Sequence, residues 1–223
     1  MPAAGLWTYF TNDTCRPTSN PTDTCTLGYY PVLVIMAKTA DHIKAGIQFA
    51  NRNNLRLIMR NTGHDFLGRS VGWGALAINT HSFQSVNLTK NWSGAGRYTG
   101  SAITVGAGVQ AGAALKMLNA QSPPGIVVTG ECATVGGFLA DTALEFDVVT
   151  AGGSYATANA NKNSDPFWAL RGGGPASFAV IVSASYKTFT DLPSSGTMLN
   201  INTTHTTNYP QLRQAVSTPG TED

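Results

Sequence analysis

Apolar and polar positions alternate along the chain in a way that first marks out a strand, a helix and a second strand. Val32 to Met36 is a continuous apolar run, the pattern of a strand covered on both faces. A helix is expected next. Thr39 is placed to cap it, Asp41 lies near its positive end, and Ile43, Ile47 and Ala50 recur on one face. Asn53 and Asn54 end that pattern, and Leu55 to Met59 reads as the second strand. Such a unit implies a parallel pair joined by a right-handed crossover, with ligands beyond the carboxyl ends of the strands. The segment Arg60-Asn61-Thr62-Gly63-His64-Asp65 occupies that position.

Farther on, Ala75 to Asn79 predicts a strand, and the polar stretch containing Trp92-Ser93-Gly94 and Arg97-Tyr98 a surface loop. Ala102 to Val105 is a strand leading through Gly106-Ala107-Gly108 into a helix over Val109 to Gln121, with Leu115 and Leu118 as its larger contacts. Pro123-Pro124-Gly125 stops the helix, and Ile126 to Val128 reads as a strand entering the glycine-rich run from Thr129 to Gly137. Leu144 to Thr150 and Tyr155 to Ala158 form a hairpin pattern around Ala151-Gly152-Gly153-Ser154. Asp165 is the expected cap, and Pro166 the first position, of a short helix through Leu170. Ser177 to Phe189 reads as one long β segment. Beyond Pro193 the Thr/Asn-rich tail lacks apolar periodicity.

Composition narrows the class of partner. The 223 residues carry 14 Lys and Arg against 12 Asp and Glu, with no basic run. Nothing in that balance points to nucleic acid or a membrane surface, so a small molecule is the expected partner. No stretch approaches the ~20 apolar residues of a membrane span, and the opening MPAAGLWTYF lacks the pattern of a signal peptide. Asn-x-Ser/Thr sites at Asn12, Asn87, Asn91 and Asn202 nevertheless point toward the secretory pathway. Cys15 and Cys25 lie close together in a polar segment and are expected to pair, leaving Cys132 among glycines. A lone cysteine is ordinarily a buried small hydrophobe, and the loop setting of Gly130-Glu131-Cys132 weighs against that role.

Three motifs compete for a functional reading. Gly106-Ala107-Gly108-Val109-Gln110-Ala111 satisfies a dinucleotide fingerprint between a strand and a helix, with Glu131 near the expected acidic position. The same glycines also suit plain tight packing. Gly68-Arg69-Ser70-Val71-Gly72 matches a hydrolase nucleophile elbow formally, but lacks the strand and helix that elbow needs. The third is the loop holding His64 taken together with Gly130-Glu131-Cys132-Ala133-Thr134-Val135-Gly136. His42, His81 and His205 have no comparable setting.

On these residues, with Pro31 to Met36, Phe146 to Ala151, and Phe167-Trp168-Ala169-Leu170-Arg171-Gly172-Gly173-Gly174, the chain resembles FAD-linked oxidases. The family is the one related to berberine bridge enzyme and fungal carbohydrate oxidases, with a PCMH-type FAD-binding domain. The resemblance runs from about Leu6 to Phe189. It implies an α+β, two-lobed fold in which a small parallel βαβ lobe (31–85) accompanies a larger mixed or antiparallel lobe (100–190). Residues 1–28 form an N-terminal segment carrying the cysteine pair, the FAD-binding domain covers 29–190, and 191–223 begin a substrate domain or form a disordered tail. The implied cofactor is FAD, bonded covalently to His64 at the 8α carbon and to Cys132 at C6. Arg60, Asn61, Thr62, Gly63, Asp65, Gly108, Gly130, Thr134, Val135, Gly136 and Val149 complete the implied binding set. Imidazole and thiolate suit that role because both are nucleophiles.

The implied reaction takes a hydride from a small-molecule C–H to the flavin and passes the electrons to oxygen. Relatives continue after the Cys132 motif with a long glycine-rich stretch, where this chain has only Gly137-Phe138-Leu139-Ala140-Asp141 before Thr142, and they run on well past its last residue. The chain therefore reads as truncated and internally deleted. A redox-inactive remnant of the same fold is the second reading, and an NAD-binding protein the third. Neither Asp65 nor Glu131 is assigned as a catalytic base.

Overall fold

The computed structural model describes residues 20, 22–24, 26–65, 68–129, 140–172 and 175–192. The first strand, β1 (Leu33–Met36), leads into α1 (Ala40–Arg52), and β2 (Leu57–Arg60) follows. The Thr39 hydroxyl accepts from the amide of His42, Asp41 lies in the first turn, and Ile43, Gly46, Ile47 and Ala50 are the buried face. Asn53 closes the helix and Asn54 adopts a left-handed φ of 50°.

β1 and β2 are parallel, as expected of a strand–helix–strand unit, but they do not pair with each other. β3 (Leu76–Asn79) lies between them, so that Leu76 faces Leu33 on one side and Leu57 on the other. The reason is visible in burial: Leu76, Ala77 and Ile78 are 5%, 0% and 0% exposed, whereas Leu33, Val34 and Met36 are 62%, 47% and 57% exposed. Among the described residues the continuous apolar run of β1 is thus an edge strand, not one covered on both faces. Continuity of apolar residues reports affinity for a sheet and not position within it. Ile35 alone of this strand packs on the helix-facing cluster.

The second sheet is antiparallel and five-stranded. β4 (Val86–Thr89) pairs with β5 (Ala102–Gly106), from which the chain enters α2 (Ala111–Asn119), then β6 (Gly125–Ile126). β7 (Ala143–Thr150) and β8 (Tyr155–Asn159) form the expected hairpin. Next come the short helices α3 (Ser164–Leu170) and α4 (Pro175–Phe178), β9 (Ala179–Lys187) and β10 (Phe189–Thr190). The strand order is β4-β5-β9-β7-β8, and β6 pairs separately with β10. β4 carries too short an alternation, Val-Asn-Leu-Thr, to stand out in the sequence. The long β segment expected over 177–189 instead begins as helix and is broken between β9 and β10. Asn163, with a left-handed φ of 52°, is the cap of α3, so Pro166 occupies its third position and not its first. Proline is tolerated there because the first-turn amides have no helical acceptor anyway.

One face of the antiparallel sheet is apolar, with Ile103, Val105, Phe146, Val148, Ala184 and Tyr186 packed against α2 and α3 residues such as Leu118 and Phe167. A second cluster joins the sheets: Val149 and Val180 pack with Ile43, Ile47 and Ile78 of the parallel layer. The opposite face of the antiparallel sheet carries a cross-strand row of Asn87, Thr104, Ser185, Glu145 and Asn159.

This topology removes the NAD reading. A dinucleotide fingerprint needs its strand in a parallel βαβ sheet, and β5 has antiparallel neighbours on both sides. The two glycines serve close backbone packing instead. A Cβ on Gly106 would fall 2.4 Å from the Phe83 carbonyl oxygen, and one on Gly108 2.0 Å from that of His81. The amide of Gly106 donates to Ser85 and that of Gly108 to Phe83, at 2.8 and 2.9 Å. Gly108→Ala is expected to destabilise the fold by about 3 kcal/mol through overpacking. Gly112→Ala on α2, where nothing lies within 4 Å, should stabilise it by about 1 kcal/mol through helix propensity. Urea midpoints of the two variants decide this.

Burial pushes the Tyr186 phenol well above its ordinary range, because ionisation would leave a charge in the core. A raised folded value means the stabilisation is complete below about pH 10 and is lost as pH rises above it. Tyr186→Phe is therefore expected to lose less stability than the parent in alkaline urea titrations.

Candidate functional site

The parallel layer brings the carboxyl ends of β2 and β3 level, since Arg60 is registered on Asn79. The chain leaves β2 as the loop Arg60-Asn61-Thr62-Gly63-His64-Asp65, and leaves β3 through Thr80, whose amide donates to the Arg60 carbonyl at 2.9 Å. The loop singled out by the sequence therefore lies at the strand ends where α/β folds bind ligands.

Each loop residue has a distinct environment. The Arg60 guanidinium lies over the Tyr30 ring, 5.8 Å from its centroid, and beside Gly63. Gly63 has φ +83°, a conformation that a side chain would strain. His64 is exposed. Among the described residues, the amides of Thr62, Gly63 and His64 donate to no protein acceptor. Successive free amides on a turn form a concavity suited to an anion. The Asp65 carboxylate is held from the other side: it accepts from the Arg69 amide at 2.7 Å and from the Arg69 guanidinium at 2.9 and 2.6 Å. That carboxylate is engaged in fixing the loop's exit. Ser70 lies in a turn with strand β3 and no helix after it, so the elbow-like match at 68–72 has no elbow geometry.

Asn61 points a half-buried amide across to the other sheet. Its Nδ2 donates to the Thr80 hydroxyl at 3.1 Å and to the Ala107 carbonyl at 2.6 Å. Gln84 reinforces the same junction by donating to the carbonyls of His81 and Gly108. Gly108 is buried there, with its amide and its carbonyl both used within the protein. The Val149 side chain is 0% exposed and filled into the cluster between the sheets. Gly130, Glu131, Cys132, Thr134, Val135 and Gly136 lie outside the described residues, as do Cys15 and Cys25. The structure thus gathers residues 60–65 with Gly108, by way of Asn61. Thr80, Gln84, Tyr30 and Arg69 take part without having been foreseen. For Thr80 a signal existed, since it directly follows a strand parallel to β2.

Comparison with known proteins gives the chain its family. A family model described as an FAD binding domain matches residues 31–159, more than half of the chain, and the chain belongs to that family. The VAO-type flavoprotein oxidase VAO615 of Thermothelomyces thermophilus is 37% identical over 211 residues, covering 86% of this chain and 36% of that protein. The FAD-linked oxidoreductase sthB of Phaeosphaeria nodorum is 38% identical over 214 residues, 88% of this chain and 67% of its own length. Among solved structures, the VAO-type flavoprotein MtVAO615 from Myceliophthora thermophila superposes with a TM-score of 0.74 at 37% identity, over 81% of this chain and 36% of that one. A 6-hydroxy-D-nicotine oxidase from Arthrobacter nicotinovorans, at 22% identity and a TM-score of 0.62, shares the fold. The two-lobed PCMH-type architecture implied by the sequence is therefore the architecture found, and FAD is the family's cofactor. The chain spans about a third of the length of several of these relatives.

Arg69→Met tests how much the ion pair contributes to the loop. With the Arg69 side chain 56% exposed, the variant is expected to lose no more than about 1 kcal/mol in urea unfolding.

Proposed function

We propose that this chain holds FAD for an oxidase that removes a hydride from a small-molecule C–H bond and delivers the electrons to oxygen. The observation that carries the reading is the row of free amides at Thr62, Gly63 and His64, on a loop that ends a parallel strand in a chain of the FAD binding domain family. Those amides suit the pyrophosphate, whose charge needs donors and no side-chain bulk. Gly63 lets the backbone approach without a Cβ in the way. Beside them the exposed His64 imidazole is free to tether the flavin at its 8α carbon, and Cys132 is the second tether, at C6. Bound FAD supplies a two-electron acceptor and a path from there to oxygen.

The protein's own residues hold and orient. Asp65 fixes the loop's exit through Arg69, which leaves the role of substrate base to a group beyond residues 60–65. The sequons at Asn87 and Asn91, both exposed, fit passage through the secretory pathway. Among the described residues no helix is long and apolar enough to cross a membrane.

The test is expression in a secretory yeast followed by acid precipitation. Yellow absorbance retained in the pellet, diminished in His64→Ala and in Cys132→Ala and lost in the double variant, is the expected result. A folded, colourless parent protein overturns the reading in favour of a redox-inactive remnant. Extracted pellets that release all flavin would overturn the covalent tethers alone.

A further inference from the structure

The Asn61 side chain is only half accounted for. Both acceptors of its Nδ2, the Thr80 hydroxyl and the Ala107 carbonyl, belong to buried residues, 6% and 8% exposed. One follows β3 of the parallel sheet and the other follows β5 of the antiparallel sheet, so the amide ties the two at the loop's base. Its Oδ1 is buried, and among the described residues no donor reaches it. Turning the amide over would set Oδ1 against the Ala107 carbonyl, which has no hydrogen to give. The orientation is therefore fixed by chemistry, and a buried acceptor is left waiting for a donor.

We infer that Asn61 Oδ1 accepts a hydrogen bond from a hydroxyl of the bound dinucleotide. This rests on the FAD-holding reading of the loop. The pyrophosphate cannot be the partner, because its oxygens at neutral pH accept hydrogen bonds and donate none. The donors that flank it in the molecule are alcohol groups: those of the ribityl chain on the flavin side and those of the adenosine ribose on the other. The loop then divides its work. The amides of residues 62–64 meet the anion, which any diphosphate would supply, while Asn61 meets a sugar hydroxyl and adds a selectivity that the backbone lacks.

Binding must be reversible for the test, so it uses the full chain carrying His64→Ala and Cys132→Ala. FAD, riboflavin, ADP and inorganic pyrophosphate are titrated against this parent and against the same chain with Asn61→Leu, by calorimetry. Asn61→Ala serves as a second variant with less bulk, and circular dichroism checks that each is folded. The expected result is that FAD weakens about tenfold, the size of one hydrogen bond to a buried group, while pyrophosphate is unchanged. Riboflavin weakening alongside FAD assigns the ribityl hydroxyls, and ADP weakening assigns the ribose. Unchanged FAD affinity, or pyrophosphate weakened as much as FAD, overturns the inference while leaving FAD binding intact. A parent that binds none of the four overturns the FAD-holding reading and the hydroxyl assignment with it. The tie between the sheets is read separately by hydrogen exchange: Asn61→Leu should speed exchange at the amides of Thr80 and Gly108 several-fold, and equal rates overturn that part.

Discussion

β3 is the strand on which both of its neighbours are registered, and it can fill that place because Leu76, Ala77 and Ile78 have no exposed side to lose. Its pairing with β2 sets Arg60 opposite Asn79, and so fixes where the loop after β2 begins. Its Ile78 also enters the apolar cluster that Val149 and Val180 supply from the antiparallel sheet. A change of register at β3 by one residue would turn Ile78 away from that cluster and move the loop relative to Ala107 at the same time. Packing between the sheets and geometry at the loop are for this reason a single constraint.

The glycines after β5 show how a sequence pattern can be real and still mean something else. Gly106 and Gly108 are required at their positions, as a dinucleotide fingerprint would require them, but the atoms they accommodate are the carbonyl oxygens of Phe83 and His81. They let the 81–85 segment lie flat on the strand–helix junction. That close approach in turn brings the Ala107 carbonyl within reach of Asn61. Ligand binding and internal packing ask for the same residue because both need backbone uncovered by a Cβ, and the sheet's direction is what separates them.

Much of the fold was legible from periodicity and caps. Thr39 and the Ile43, Ile47, Ala50 stripe specified α1, and the Leu144–Thr150 and Tyr155–Ala158 alternations specified a hairpin. What escaped was order and edge position: Val32 to Met36 has the composition of a central strand, and only the three-dimensional competition with Leu76–Ile78 puts it outside. β4 escaped because four residues carry too little alternation. At the site, the loop 60–65 was legible because it ends a strand in a strand–helix–strand unit and contains Gly63 and His64. The partners Thr80 and Ala107 lie far from it in sequence and contribute a hydroxyl and a backbone carbonyl, neither of which any motif records.

The exposed side of β1 carries a consequence for how the chain behaves as a material. Leu33, Val34 and Met36 sit on a strand whose outer edge pairs with no described strand, so backbone groups unpaired in the plane of the sheet lie beside exposed apolar side chains that stand out of it. Such an edge is a template for adding another strand. A strand added there would engage Leu33–Met36, residues separate from the loop at 60–65.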